Sequence, residues 1–129
     1  MANLADLGVK VERGTAKNGV TEVRYTLPKS TKVEATFAYE GLTERMVKIF
    51  KKEVQTGDAL FDEHVHIKTE TPDETSALLD SIELRAIIEG IVSEGGAVEV
   101  DGSTVKVELK DAASLDSERE SHFVEALLR

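Results

Sequence analysis

The stretch Ala97-Val98-Glu99-Val100-Asp101-Gly102-Ser103-Thr104-Val105-Lys106-Val107-Glu108-Leu109 decides how the chain is read. Apolar and polar residues alternate on both sides of Asp101-Gly102. A period of two puts Val98 and Val100 on one face of a strand, and Val105, Val107 and Leu109 on one face of the next. Asp-Gly supplies the positive φ angles of a two-residue turn. The segment is therefore a β-hairpin with one packed face and one wet face.

Working outward, the residues before it change period. Ile82, Leu84, Ile87, Ile88, Ile91 and Val92 form an apolar stripe at helical spacing, and Gly95-Gly96 stops it. Thr71-Pro72-Asp73-Glu74 is a helix start: Thr71 as cap, Pro72 at the first helical position, Glu74 completing a capping box. Asp80-Ser81 reads as a second cap. Residues 72–94 are thus one kinked helix or two consecutive ones. On the far side, Ser114 is placed to cap a helix from Leu115 onward. Its stripe of Phe123, Val124, Leu127 and Leu128 must dock on this domain or on a neighbour.

The first third of the chain is β-structure. Val9-Lys10-Val11-Glu12-Arg13 alternates, as do residues 20–27, and Asn18-Gly19 between them is a hairpin signal. Pro28-Lys29-Ser30 turns the chain into a third strand with Val33, Ala35, Phe37 and Tyr39 on one face. The economical arrangement is a three-stranded meander. Residues 42–52 read as a short amphipathic helix or a ragged helical turn, with Lys48, Lys51 and Lys52 on its solvated side. Phe61, Glu63, Val65, Ile67 and Thr69 share one parity of a further strand, and Asp62, His64, His66 and Lys68 share the other. The prediction is a single α+β domain over residues 1–129: a largely antiparallel sheet of five to six strands with two to four helices packed on one face.

Composition bounds the function. The chain has 129 residues and a net charge of −9, a total that repels nucleic-acid phosphates, so no nucleic-acid partner is expected. Residues 1–52 carry ten Lys or Arg against six Asp or Glu. Residues 53–129 carry six against nineteen, so the halves attract within one fold or between copies. There is no cysteine, which excludes disulfides, thiolate metal sites and cysteine nucleophiles. No apolar run reaches the roughly 20 residues of a membrane helix. The opening residues lack the basic and apolar regions of a signal peptide, and the expected compartment is the cytosol.

Two constellations bear on chemistry. His64 and His66 project from one strand face, and two imidazoles on a rigid face can begin a metal site. Asp62, Asp58 or His122 are the candidates to complete it. The competing reading is a wet strand face. Asp58 and Asp62 could act as acid and base, but Gly57, Asp58 and Phe61 also make an ordinary turn with an aromatic anchor, and that structural reading is preferred. The sequence has no phosphate loop, G-x-S-x-G elbow or H-E-x-x-H motif.

Val47-Lys48-Ile49-Phe50, Gly57-Asp58-Ala59-Leu60-Phe61-Asp62, Val65-His66-Ile67-Lys68-Thr69, Leu78-Leu79 and Arg85 together resemble a bacterial family of uncharacterised proteins with a G-D-x-x-F-D element. The resemblance covers about a third of the chain and implies a shared structural turn at Gly57, Asp58, Phe61 and Asp62, with no activity attached. The functional expectation is a soluble, non-catalytic protein-interaction or structural module, with self-association plausible and no cofactor. The alternatives are a metal-binding protein or metal-dependent enzyme using His64 and His66, and a small-ligand sensor with a pocket between sheet and helices.

Overall fold

A computed structural model of the chain describes residues 4–15, 21–39, 61, 65–110, 115 and 117–128. Six strands build one sheet: β1 (Lys10–Thr15), β2 (Thr21–Thr26), β3 (Glu34–Tyr39), β4 (Val65–Thr69), β5 (Ala97–Asp101) and β6 (Thr104–Leu109). Their order is β1-β2-β6-β5-β3-β4, and every neighbouring pair is antiparallel. Three α-helices accompany them: α1 (Pro72–Leu78), α2 (Ile82–Ser93) and α3 (Ser117–Leu127). A short 3₁₀ turn over Leu4–Leu7 precedes β1. The α+β class, the strand number and the antiparallel sheet are as the periodicities indicated.

The hairpin of β5 and β6 lies at the centre of the sheet. Val98 pairs with Val107 and Val100 with Val105, all four buried on one face. Gly102 turns the chain with φ 61°. The same face carries Val23 and Tyr25 of β2, Ala35 and Phe37 of β3, and Val65 and Ile67 of β4. Helix α2 packs on β3, β4 and β5, and α3 packs on α2. Leu84, Ile88, Ile91 and Val92 carry that contact from α2, and Phe123, Val124 and Leu127 from α3. The apolar face of the last helix therefore docks on its own domain. At roughly 25 cal/mol per Å², each such fully buried side chain contributes about 1.5–3 kcal/mol.

The expected meander is corrected. β2 and β3 are not neighbours, because the β5–β6 hairpin inserts between them. The connecting segment passes the hairpin tip and binds it. Leu27 N–H donates to the Ser103 carbonyl at 2.7 Å and Thr31 N–H to Gly102 at 3.1 Å, while Gly102 N–H donates to Val33 at 2.9 Å. Thr31 Oγ1 adds a bond to the Gly102 carbonyl at 2.8 Å. A connection that meets backbone partners on the hairpin tip has no need to fold β3 back onto β2.

Other expectations resolve locally. Residues 72–94 form two helices, and Ser81 caps the second by accepting from Leu84 N–H at 3.3 Å. Gly95 ends α2 with φ 90°. Thr71 does not cap α1 with its side chain, which instead accepts from Glu34 N–H of β3 at 2.9 Å. Ile82, placed in the apolar stripe by spacing, is 72% exposed. Phe61 has helical backbone, so the strand begins at Val65, yet the ring is buried. The helix predicted over 42–52, the turn at 17–19 and the cap at Ser114 lie outside the described residues.

Candidate functional site

Of the residues singled out for chemistry, His64, Asp58, Asp62 and Gly57 lie outside the described residues. His66 is half-buried on β4, opposite Ala38 of β3, on the face away from the helices. His122 is on α3, on the helix side of the sheet, with Nδ1 3.8 Å from Glu83 of α2. The sheet therefore separates His66 from His122, and the two do not converge. Among the described residues no group of three or more His, Asp or Glu side chains is placed to hold a metal.

The face away from the helices is charged and ordered by register. Glu12, Arg24, Lys106, Glu99, Thr36 and Lys68 stand in one row across all six strands. A second row runs Gly14, Glu22, Glu108, Ala97, Ala38, His66. Within strands, Lys106 lies 3.4 Å from Glu108 and Arg24 3.3 Å from Glu22. All four side chains are substantially exposed, so solvent screens these pairs and each is worth about 0–1 kcal/mol. The rows keep the β1, β2 and β6 part of this face polar, whereas toward its other end Ala38 is buried and Ala97 and His66 are half-buried.

The helix side contains a buried ionic anchor that no sequence motif signals. Directly opposed strand residues share a face, so Arg13, opposite Val23, points toward the helices. Arg13 Nη2 donates to both carboxylate oxygens of Glu120 at 2.6 and 2.7 Å. Tyr25 hydroxyl donates to Glu120 Oε2 at 2.6 Å. Glu120 is 6% exposed, while the Arg13 side chain is 54% exposed and reaches in from the sheet edge. The Tyr25 ring meets Phe123, one turn on from Glu120, edge to face with centroids 6.1 Å apart. Burial first, and then the hydrogen bond to Glu120, push the Tyr25 phenol well above its ordinary range. The hydrogen bond to Glu120 likewise raises Arg13. A phenol held protonated and a carboxylate with both oxygens engaged tie α3 to β1 and β2.

A second polar knot joins β3, β4 and α1. Thr69 Oγ1 donates to the Glu34 carbonyl at 3.0 Å and lies 2.8 Å from Thr75 Oγ1. It also accepts from Thr71 N–H at 2.9 Å. Thr69 and Thr75 are both buried, and their hydroxyls satisfy each other and the backbone.

The remaining feature is the β1 edge of the sheet, whose other edge strand is β4. β1 pairs only with β2, and of its six residues Val11 is half-buried and the others are exposed. One backbone edge of β1 is therefore unpaired within the described residues, a template for another strand. No helix among the described residues is long and apolar enough to cross a membrane. No family model matches the chain, and neither the curated proteins nor the solved structures contain a significant match.

Proposed function

We propose that this is a non-catalytic protein-interaction or structural module that works by edge-to-edge strand addition at β1, its partner being a second copy of the same chain. The observation that carries the reading is the exposed β1 edge and the order of charge along it: Lys10, Val11, Glu12, Arg13. Antiparallel strands place directly opposed residues on one face, so a two-fold axis normal to the sheet must pass through a residue pair. Centred on Lys10, Glu12 or Arg13, the axis sets like charges opposite each other. Centred on Val11, it sets Val11 against Val11 and Lys10 against Glu12 of the second copy, twice. Opposite-charge cross-strand pairs contribute about 0.2–1 kcal/mol each, and directly opposed like charges cost a similar amount.

The seam is short. It spans Val9 to Arg13, since the 3₁₀ turn at Leu4–Leu7 ends the extended run. Such an interface belongs to the small, transient class, with affinity in the micromolar range or weaker. Sedimentation at concentrations up to about 1 mM tests it at that scale. The wild-type chain is expected to dimerise reversibly. Glu12→Lys is expected to abolish the dimer, and Lys10→Glu combined with Glu12→Lys to restore it, since the swap re-forms both intermolecular pairs. A strict monomer across that range, or a double swap no better than the single variant, contradicts the proposal.

A further inference from the structure

A groove of about 390 Å³ opens where the 29–33 segment meets Glu74, Ala77 and Leu78 of α1 and Leu127 and Leu128 at the end of α3. Its size is within the range of small-molecule sites. Leu78 and Leu128 are half-buried and Val33 and Leu127 buried, and these four supply the apolar part of a lining that is also polar. The polar contribution is asymmetric. Lys29 and Lys32 line it from the 29–33 segment, both exposed and without an acidic partner among the described residues. Glu74 lines it from α1.

The lysine-bearing wall is unusually fixed for a connecting segment. Leu27, Thr31 and Val33 are bonded to the β5–β6 turn. Ser30 Oγ accepts from Lys32 N–H at 3.1 Å, and Thr31 Oγ1 accepts from Val33 N–H at 3.1 Å. Lys32 has φ 61°, and among the described residues it is the one non-glycine in the left-handed region. That conformation costs roughly 1–2 kcal/mol for a residue with a Cβ, and it persists because the flanking bonds over-determine it. Strain of this kind at a groove lining, on a cationic residue, is the observation that singles the place out.

We infer that this groove binds a small amphiphilic monocarboxylate, its hydrocarbon tail on Val33, Leu78, Leu127 and Leu128 and its carboxylate at Lys29 and Lys32. Two lysines against one glutamate leave one positive charge, which matches a monoanion better than a dianionic phosphate. The apolar part of the lining favours a ligand that carries a hydrocarbon portion over one that is polar throughout. The tail loses contact with water, and the carboxylate exchanges hydration for charge-assisted hydrogen bonds. The site is independent of the β1 edge, and the two proposals fail separately.

The test is titration of the full chain with decanoate below its micelle concentration, followed by amide chemical shifts. The neutral alcohol decanol and the cation decyltrimethylammonium serve as matched probes. Decanoate is expected to saturate one site, with shifts centred on residues 29–33, 77–78 and 127–128, and to bind more tightly than either matched probe. Lys29→Ala with Lys32→Asn is expected to weaken binding about tenfold or more, the loss of a charge-assisted contact. Asn tolerates the left-handed region, so that variant removes charge without disturbing the backbone. Ala77→Phe, at an exposed lining position, is expected to block the groove while leaving the circular dichroism spectrum unchanged. Absence of saturable binding, equal affinity for the cationic probe, or full binding by the Lys29/Lys32 variant overturns the inference.

Discussion

Glu120→Ala is the most informative perturbation of the folded state. Three terms set its size. The Tyr25 hydroxyl, on a residue with no exposed surface, loses its acceptor; an orphaned buried polar group costs about 1–3 kcal/mol. The Arg13 interaction contributes less, about 0–1 kcal/mol, because its guanidinium end sits on a side chain that is half in solvent. The higher helix propensity of alanine returns a few tenths of a kcal/mol. The sum is a loss of about 1–3.5 kcal/mol. For a domain of this length, about 4 °C accompanies each kcal/mol, so the melting midpoint should fall by roughly 4–14 °C. Glu120→Gln keeps the shape and one acceptor and should cost about half as much. Tyr25→Phe and Glu120→Ala combined should lose about 1–2 kcal/mol less than the two singles summed, because each variant already removes the same bond. Urea or thermal unfolding followed by circular dichroism gives all four values. A Glu120→Ala variant within 0.5 kcal/mol of wild type, or strict additivity with Tyr25→Phe, would refute the anchor.

The remaining predictions are local. The folded Tyr25 phenol is raised above its unfolded value near 10, so its contribution is fully present below about pH 10 and erodes as pH climbs beyond it. The tyrosinate absorbance difference between wild type and Tyr25→Phe should appear only together with loss of the far-ultraviolet signal; reversible ionisation near pH 10 in the folded chain contradicts this. A Cβ on Gly96 would overlap the Glu108 carbonyl and press on Ile91, whereas one on Gly90 within α2 meets nothing nearby. Gly96→Ala should therefore destabilise by about 2 kcal/mol or more, while Gly90→Ala should stabilise by roughly 0.5–1 kcal/mol. Thr69→Val removes bonds to the Glu34 carbonyl, the Thr71 amide and the Thr75 hydroxyl, and should cost about 2–3 kcal/mol in the same unfolding assay.

Which of these features could be read in advance follows from how far apart their parts lie. Asp101-Gly102 and the valines around it specify their hairpin within a dozen residues, and the structure has the hairpin there with the turn one residue later, at Gly102-Ser103, because Asp101 pairs with Thr104 as the last residue of β5. Ser81 and Gly95 bound α2 by bonds that reach only three or four residues. Strand order is another matter. Nothing near residues 27–33 states that the Gly102 backbone will arrive there, so a local reading folds β3 onto β2. Thr71 has the composition of a cap, but β3 claims its hydroxyl through Glu34 N–H, a partner 37 positions away. Spacing puts Ile82 in the stripe, yet it is the first residue of α2 and projects past the packed region. The anchor is the extreme case: Arg13 and Glu120 are 107 positions apart and Tyr25 and Glu120 are 95 apart. Glu120 stands three and four positions before Phe123 and Val124, on the apolar side of the helix, but nothing local names the Arg13 and Tyr25 that let it be buried there. The H-x-H pattern is local and therefore legible, and of its two members the structure describes His66, across the sheet from His122.

Edge pairing centred on Val11 is the central claim, and single-cysteine trapping tests it most directly. The chain has no cysteine, so Val11→Cys introduces one thiol per copy. At the two-fold axis, opposed Cβ atoms lie about 4.5–5.5 Å apart, close enough for a disulfide after small adjustment. In the same register two Thr15→Cys thiols are separated by roughly 26 Å along the seam at about 3.3 Å per residue. Mild oxidation near 1 mM should convert Val11→Cys to a covalent dimer much faster than Thr15→Cys. Equal rates for the two variants, or no dimer from Val11→Cys, would contradict the account.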